Sequence, residues 1–214
     1  MLHLITLDFT RNWKQPREWL TVLLFLLSIS VVLFMGFNRM RAETWAVMYW
    51  IVMLFMAVGA IVGDQGAGSS REKYLYNLLA TPVEIFISRI VFNTLLLLVL
   101  ALILYLVFGI FFDWQLVMNG QVLLIVVLGT FSLSVIFCFV STLVLAAEKG
   151  SILASLLGFP LVIPVILLLI RLFLIEMGFT NESQGQIQDY LSLIGIDALL
   201  IGLGIILFPL IWRS

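Results

Sequence analysis

Long apolar runs constrain this chain more than any other feature of its sequence. Six such runs, each of roughly 20 residues or more, are separated by short polar connections. A helix of about 20 apolar residues crosses the ~30 Å hydrocarbon core of a bilayer. The sequence therefore predicts an all-α membrane protein with six transmembrane helices.

Charged residues are too scarce for the surface of a soluble globular protein. They make up 11% of the 214 residues, whereas an average soluble domain contains about 25%. The apolar residues make up 63%, and the connections are too short to form a separate folded domain. We expect a single transmembrane domain over residues 1–214.

Span boundaries follow from the apolar runs and from the aromatic residues near their ends. The predicted spans are 19–37, 44–63, 86–111, 122–146, 151–175 and 191–212. Tryptophan and tyrosine are enriched at membrane–water interfaces, so Trp45, Tyr49 and Trp50 are interpreted as part of an interfacial belt. The basic segment at about 4–17 predicts an interfacial helix that anchors the chain at the membrane surface.

The distribution of positive charge predicts the orientation. Eight of the eleven Lys and Arg residues lie in or beside one set of connections, and cytoplasmic loops carry the excess of these residues. An even number of spans places both termini on one side. We therefore expect a multi-pass protein of the bacterial inner membrane with both termini in the cytoplasm, although Arg39 and Arg41 fall on the opposite side.

The connection between the second and third spans contains a charged stretch, SREKYLYNLLATPVEIF, at residues 70–86. Ser69 and Glu72 have the spacing of a capping box, and the apolar residues that follow would share one face of a helix. The pattern predicts a short amphipathic helix at about 70–79 on the cytoplasmic side. Such a helix either lies passively at the interface or docks on a soluble partner.

The end of this stretch predicts a sharp turn into the third span. Thr81 suits the N-cap position, Pro82 suits the first helical position, and Glu84 follows Thr81 by three residues. On the docking interpretation, the residues that contact the partner or transmit its motion are Arg71, Glu72, Lys73, Leu75, Leu78, Leu79, Thr81 and Pro82.

The fifth predicted span contains Gly158, Pro160 and Pro164 in the sequence GFPLVIP. Each proline removes a helical hydrogen bond, so the pair predicts a kink. The kink is either a static packing bend or part of a flexible, cavity-lining helix.

Asp197 is the candidate functional polar residue inside the membrane, about 9 Å within the sixth predicted span. A carboxylate at that depth is costly and marks a functional hypothesis. It is either hydrated from the outer interface or contributes to a pathway or subunit contact. Arg171 and Glu176 have poor helical spacing for an ion pair, so snorkelling is favoured.

Several classes of protein are disfavoured by the sequence. It contains no P-loop pattern, no catalytic or metal-binding constellation, and no basic patch for nucleic acid. The lone Cys138 lies in an apolar run and the lone His3 lies near the terminus. We expect no catalytic activity, no directly bound cofactor and no metal in this chain.

The chain resembles the permease subunits of type-2 ABC exporters in the order of its spans and its charged stretch. Two spans precede an R-E-x-x-x-x-x-L-L-x-x-P-V segment that leads into the third. The residues that carry this resemblance are Arg71, Glu72, Leu78, Leu79, Thr81, Pro82 and Val83. The chain is more closely similar to the CcmB family of haem exporter proteins, in its length, its minimal loops and the run GSILASLLGFPLVIPVILLLI at 150–170.

The resemblance implies a membrane subunit that uses ATP hydrolysis by a CcmA-like ATPase to release a haem-loaded periplasmic chaperone. It also implies a CcmC-like haem-handling membrane subunit as a partner, in addition to membrane lipid. The sequence offers no haem ligand within the spans, which favours a mechanical role. The alternatives are a small type-2 exporter permease for a lipid, drug or polysaccharide precursor, and a membrane assembly scaffold without a transport cycle.

Overall fold

The computed structural model describes residues 16–37, 41–59, 81–111, 120–146, 151–178 and 185–212. Within these ranges the chain forms six α-helices and no β-strand. The helices are α1 (Pro16–Gly36), α2 (Ala42–Ala57), α3 (Pro82–Phe111), α4 (Gly120–Ala146), α5 (Ser151–Glu176) and α6 (Gln186–Trp212). Each helix overlaps one predicted span, so the all-α prediction is confirmed.

Among the residues that the structure describes, three helical segments are long and apolar enough to cross a membrane. They are Pro82–Phe111, Gly120–Leu143 and Gln186–Pro209, with mean hydropathies between 2.5 and 2.9. Val22–Gly36 and Glu43–Ala57 are shorter apolar helical segments. The crossing of the bilayer by all six helices stays a prediction.

Helix α4 lies at the centre of the bundle. It packs against α3, α5 and α6, and 72% of its most apolar window is buried, against 28% for the corresponding window of α6. Residues 132–142 of α4 are all buried. Several of them are serine and threonine, which are common where transmembrane helices approach closely.

An aromatic cluster joins α2, α3 and α5 and corrects one prediction. Its members are Trp45, Tyr49, Trp50, Tyr105, Phe108 and Phe173. The rings of Trp45, Tyr49 and Phe173 are nearly parallel, with centroids 5.5–5.6 Å apart. The prediction of an interfacial belt is therefore wrong for Trp45, Tyr49 and Trp50, because all three are at most 1% exposed. They face the bundle interior, where aromatic packing replaces contact with the headgroups.

Two glycines allow aromatic rings to lie directly against a helix backbone. At Gly129 of α4 an added Cβ would overlap the ring of Trp50, and at Gly204 of α6 it would overlap the ring of Phe86. These contacts fix α2 against α4 and α3 against α6.

Large apolar side chains cover the outside of the bundle. On α1, for example, Leu24, Val32 and Met35 are each more than half exposed. Soluble proteins rarely expose such a continuous apolar surface. The exterior therefore fits a lipid environment, as the composition predicts.

Candidate functional site

The start of α3 is held by a reciprocal set of hydrogen bonds. The backbone N–H and the hydroxyl of Thr81 donate to Oε2 of Glu84, at 2.9 and 3.0 Å, and the backbone N–H of Glu84 donates back to the Thr81 hydroxyl at 3.4 Å. The N–H of Ile85 donates to the carbonyl of Thr81 at 3.1 Å and closes the first turn. This is the capping box that the sequence predicts, with Pro82 at the first helical position.

Glu84 precedes the predicted third span, which begins at residue 86, and it lies in the first turn of α3, a helix that is longer than the hydrocarbon core is thick. Its 30 residues extend about 45 Å, against ~30 Å for the hydrocarbon core. The hydrogen bonds from the Thr81 backbone and then from the Thr81 hydroxyl hold the pKa of the Glu84 carboxyl below its usual range. The carboxylate form, which the cap requires, is therefore favoured at neutral pH.

The capped start of α3 leads directly into a tight contact with α6. One turn into α3, Phe86 is 1% exposed, and its ring lies against Gly204 and 5.5 Å, centroid to centroid, from the ring of Phe208. The first turn of α3 is therefore packed directly against the end of α6.

Of the predicted docking residues, the structure describes Thr81 and Pro82. The remaining ones, Arg71, Glu72, Lys73, Leu75, Leu78 and Leu79, lie outside the described residues. The predicted interfacial helix at about 4–17 lies almost entirely outside them as well. What the structure does place is the capped turn that follows the predicted amphipathic helix.

A buried polar band crosses the middle of the bundle, which sequence reasoning missed. We define it by Asn93 of α3, Ser132, Ser134 and Cys138 of α4, and Asp197 of α6, all at most 9% exposed. The Asn93 amide donates to Sγ of Cys138 at 3.2 Å, and the Ser134 hydroxyl donates to the α3 carbonyl of Ile90 at 2.9 Å. The polar band thus bonds α4 to α3 on one side and to α6 on the other.

Asp197 is the acidic member of the polar band. Its Oδ2 accepts a hydrogen bond from the Ser132 hydroxyl at 2.7 Å, and the residue is 3% exposed. Helix α6 begins at Gln186, five residues before the predicted span, because the polar residues there continue the helix. Asp197 lies about 16 Å from the start of α6, and its side chain is buried against Ser132 of α4.

The number of hydroxyl side chains in α4 contained a signal for this band. Thr130, Ser132, Ser134, Ser141 and Thr142 lie in one otherwise apolar run. Hydroxyl side chains in a transmembrane helix favour its interior faces. Their number in α4 could have predicted that this helix is central, although not which partners they meet.

Helix α5 runs from Ser151 to Glu176 through both of its prolines. Gly158 is buried, and an added Cβ there would meet the ring of Phe137 at 3.4 Å. Pro160 and Pro164 are exposed on the outside of the bundle. The three residues of the predicted kink therefore occupy two faces of α5, and the prolines line no interior cavity between the described helices.

Two polar contacts join the end of α5 to the start of α6. Nε of Arg171 lies 3.4 Å from Oδ2 of Asp189, and the Gln186 amide donates to Oε1 of Glu176. The side chain of Arg171 is 48% exposed and that of Asp189 is 11% exposed. Arg171 thus has an ion-pair partner on the neighbouring helix, where the sequence favoured snorkelling alone.

Metal coordination has no support among the residues described. No group of three or more His, Cys, Asp or Glu side chains in these ranges lies close enough to hold a metal ion. The polar band contributes hydrogen bonds and one carboxyl group, and the start of α3 contributes a capped turn.

These features define a helical membrane protein with a central polar band and a capped helix start that follows a charged connection in the sequence. The CcmB protein family model matches residues 1–202. The chain therefore belongs to the CcmB family, as the sequence resemblance indicated. Searches of curated proteins and of solved structures found no match.

Membership of the CcmB family implies a membrane component of the haem-exporting ABC system of cytochrome c maturation. It also implies association with other components of that system.

Proposed function

We propose that this chain is the permease-like subunit through which ATP hydrolysis by a CcmA-like partner drives release of the haem-loaded periplasmic chaperone. The family match carries this proposal, since it extends over residues 1–202 and includes the charged stretch at 70–79. A CcmC-like membrane subunit would handle the haem. The ATP would be bound and hydrolysed by the partner, not by this chain.

Docking on the ATPase would be the task of the amphipathic stretch at 70–79. The polar contacts would come from Arg71, Glu72 and Lys73, and the apolar contacts would come from Leu75, Leu78 and Leu79. This arrangement rests on the sequence pattern and on the family resemblance.

Transmission of the motion would begin at the capped turn. A push on the docked stretch would reach Thr81, whose bonds to Glu84 tie it to the first turn of α3. From there the contact of Phe86 with Gly204 and Phe208 would carry the displacement to α6. The hydrogen bonds of the cap support a mechanical role, because a frayed helix start would absorb the movement instead.

Two pairs of substitutions separate docking from transmission. In the Glu72→Ala, Leu78→Ala double variant, we expect the ATPase subunit to be lost from the purified complex. In the Thr81→Ala, Glu84→Gln double variant, we expect the ATPase to remain bound while the haem-loaded chaperone accumulates on the complex. Ser192→Ala, on an exposed face of α6, provides a matched control.

The outcomes distinguish the two parts of the proposal. Full ATPase retention in the first double variant would refute docking through 70–79. Normal chaperone release in the second would refute transmission through the capped turn.

A further inference from the structure

Asp197 is buried in the bundle, and only one of its two carboxyl oxygens has a hydrogen-bond partner among the described residues. We propose that it is a proton-binding site: in the packed bundle Asp197 is a neutral carboxylic acid, with the proton on Oδ1 and the Ser132 hydrogen bond on Oδ2. This assignment concerns the interior of the bundle and does not depend on the proposed docking of an ATPase.

The Asp197 carboxyl lies far from both ends of α6 and is buried. Asp197 lies about 16 Å from one end of α6, a helix of 27 residues and thus about 40 Å long. It is 3% exposed. A buried carboxylate that lacks pairing is strongly disfavoured, and such groups take up a proton instead.

The Asp197 carboxyl has too few hydrogen-bond donors among the described residues for its ionised form. Ser132 donates to Oδ2 at 2.7 Å, whereas Oδ1 is buried and has no hydrogen-bond partner among the described residues. An ionised carboxylate inside a protein needs several donors to replace water. A single hydroxyl donor falls short of that requirement, whereas a neutral acid needs far less compensation.

The charged and titratable groups around α6 provide no counter-charge for Asp197. The helices packed against α6 are α3, α4 and α5. Their charged or titratable side chains, with those of α6 itself, are Glu84, Arg89, Tyr105, Cys138, Arg171, Glu176, Asp189 and Tyr190. Among the described residues, the Asp197 carboxyl accepts the hydrogen bond from Ser132 at Oδ2, and its Oδ1 has no hydrogen-bond partner. Arg171 instead pairs with Asp189, eight residues away along α6.

A proton fits this site better than a metal cation does. Ca²⁺ and Mg²⁺ take about six or more oxygen ligands. Asp197 and Ser132 together offer three side-chain oxygens, and no metal-binding cluster occurs in the described ranges. A proton needs only one acceptor oxygen.

Protonation of Asp197 would be coupled to the separation of α6 from α4. If α6 separates from α4, water reaches Asp197, and the acid dissociates to a carboxylate and a hydrated proton. Closing the contact requires the same proton to return. The α4–α6 contact at Ser132 would thus be stabilised by acid and weakened by alkali.

Infrared spectroscopy of the full chain in lipid bilayers tests the assignment. The protein is labelled with aspartate that carries ¹³C in its side-chain carboxyl group. The isotope-shifted signal is then restricted to the five aspartates, Asp8, Asp64, Asp113, Asp189 and Asp197. At neutral pH we expect a carbonyl stretch of a protonated carboxyl group. We expect it to disappear in Asp197→Asn and to remain in the matched control Asp189→Asn, which removes the ion-paired carboxyl near the start of the same helix.

A second variant probes the hydrogen bond itself. Ser132→Ala should shift the frequency of the band, because Oδ2 loses its donor, while the band persists. Absence of the band from the wild-type protein at neutral pH would show that Asp197 is ionised and would overturn the proposal, even if Asp197→Asn fails to fold. Persistence of an unchanged band in Asp197→Asn would assign the proton to another residue and would overturn it as well.

Discussion

Gly129 is the position where a single added methyl group should most clearly test the packing of this bundle. In Gly129→Ala the new Cβ would lie 2.6 Å from Cζ3 of Trp50, closer still to Cη2 of that ring, and 3.1 Å from Cδ1 of Leu169. Carbon atoms that are not bonded to each other pack at about 3.5–4.0 Å. Trp50 and Leu169 are both fully buried, so neither side chain can move aside without disturbing its neighbours.

The expected cost follows from two opposing effects. Overpacking of a core costs about 1–3 kcal/mol of stability. The added Cβ of Gly129→Ala would meet two ring atoms of Trp50 and one methyl carbon of Leu169, so we expect a cost near the upper value. Alanine gains up to about 1 kcal/mol over glycine in a helix. We therefore expect Gly129→Ala to lower the free energy of unfolding by about 2 kcal/mol, which is roughly a 30-fold change in the unfolding equilibrium.

The chain supplies its own reporter for this measurement. Cys138 is its single cysteine and is 2% exposed, so a thiol-reactive dye should label it only when the bundle opens. Labelling is followed in lipid or mild detergent as denaturant increases. Gly202→Ala, at an exposed position of α6 where an added Cβ meets nothing within 4 Å, provides the matched control.

A double-mutant cycle assigns the effect to the ring of Trp50. In a Trp50→Phe background the smaller ring should leave room for the methyl group, so Gly129→Ala should cost much less there. Equal shifts for Gly129→Ala and Gly202→Ala, or an unchanged cost in the Trp50→Phe background, would refute the packing argument.

Three further predictions concern the polar contacts. Thr81→Ala should destabilise the start of α3 by about 1 kcal/mol, as loss of an N-cap does, and hydrogen exchange of the first-turn amides should accelerate. Ser132→Ala should cost about 1–3 kcal/mol because Asp197 loses its buried donor, whereas Ser192→Ala, at an exposed position, should leave the thiol-labelling midpoint unchanged. Arg171→Ala should cost less than about 1 kcal/mol, because a half-exposed ion pair contributes little, and the loss should shrink further at high salt.

The helices and the turn before α3 could be predicted from the sequence because local patterns determine them. Apolar runs locate helices, and the spacing of Thr81, Pro82 and Glu84 specifies the cap without reference to the remainder of the fold. Helix α6 begins at Gln186, five residues before the predicted span, because polar residues can extend a helix beyond its apolar part.

The interior partners could not be predicted because they depend on which helix faces meet. Trp45, Tyr49 and Trp50 have the position of interfacial residues along α2, and only the packing of α3 and α5 turns them into core residues. Asp197 was recognised as an unusual carboxyl, but its donor Ser132 lies 65 residues earlier in the chain. Pairings of that kind require the tertiary structure.

The central claim is that this chain serves cytochrome c maturation through its charged connection. The most direct measurement is the covalent haem of membrane c-type cytochromes, detected by peroxidase staining in cells that lack the gene. We expect staining to be lost, to return with the wild-type gene, and to stay absent with a variant altered at Arg71, Glu72 and Leu78. Normal staining without the gene would contradict the assignment to cytochrome c maturation, and full rescue by that variant would contradict the role of the connection.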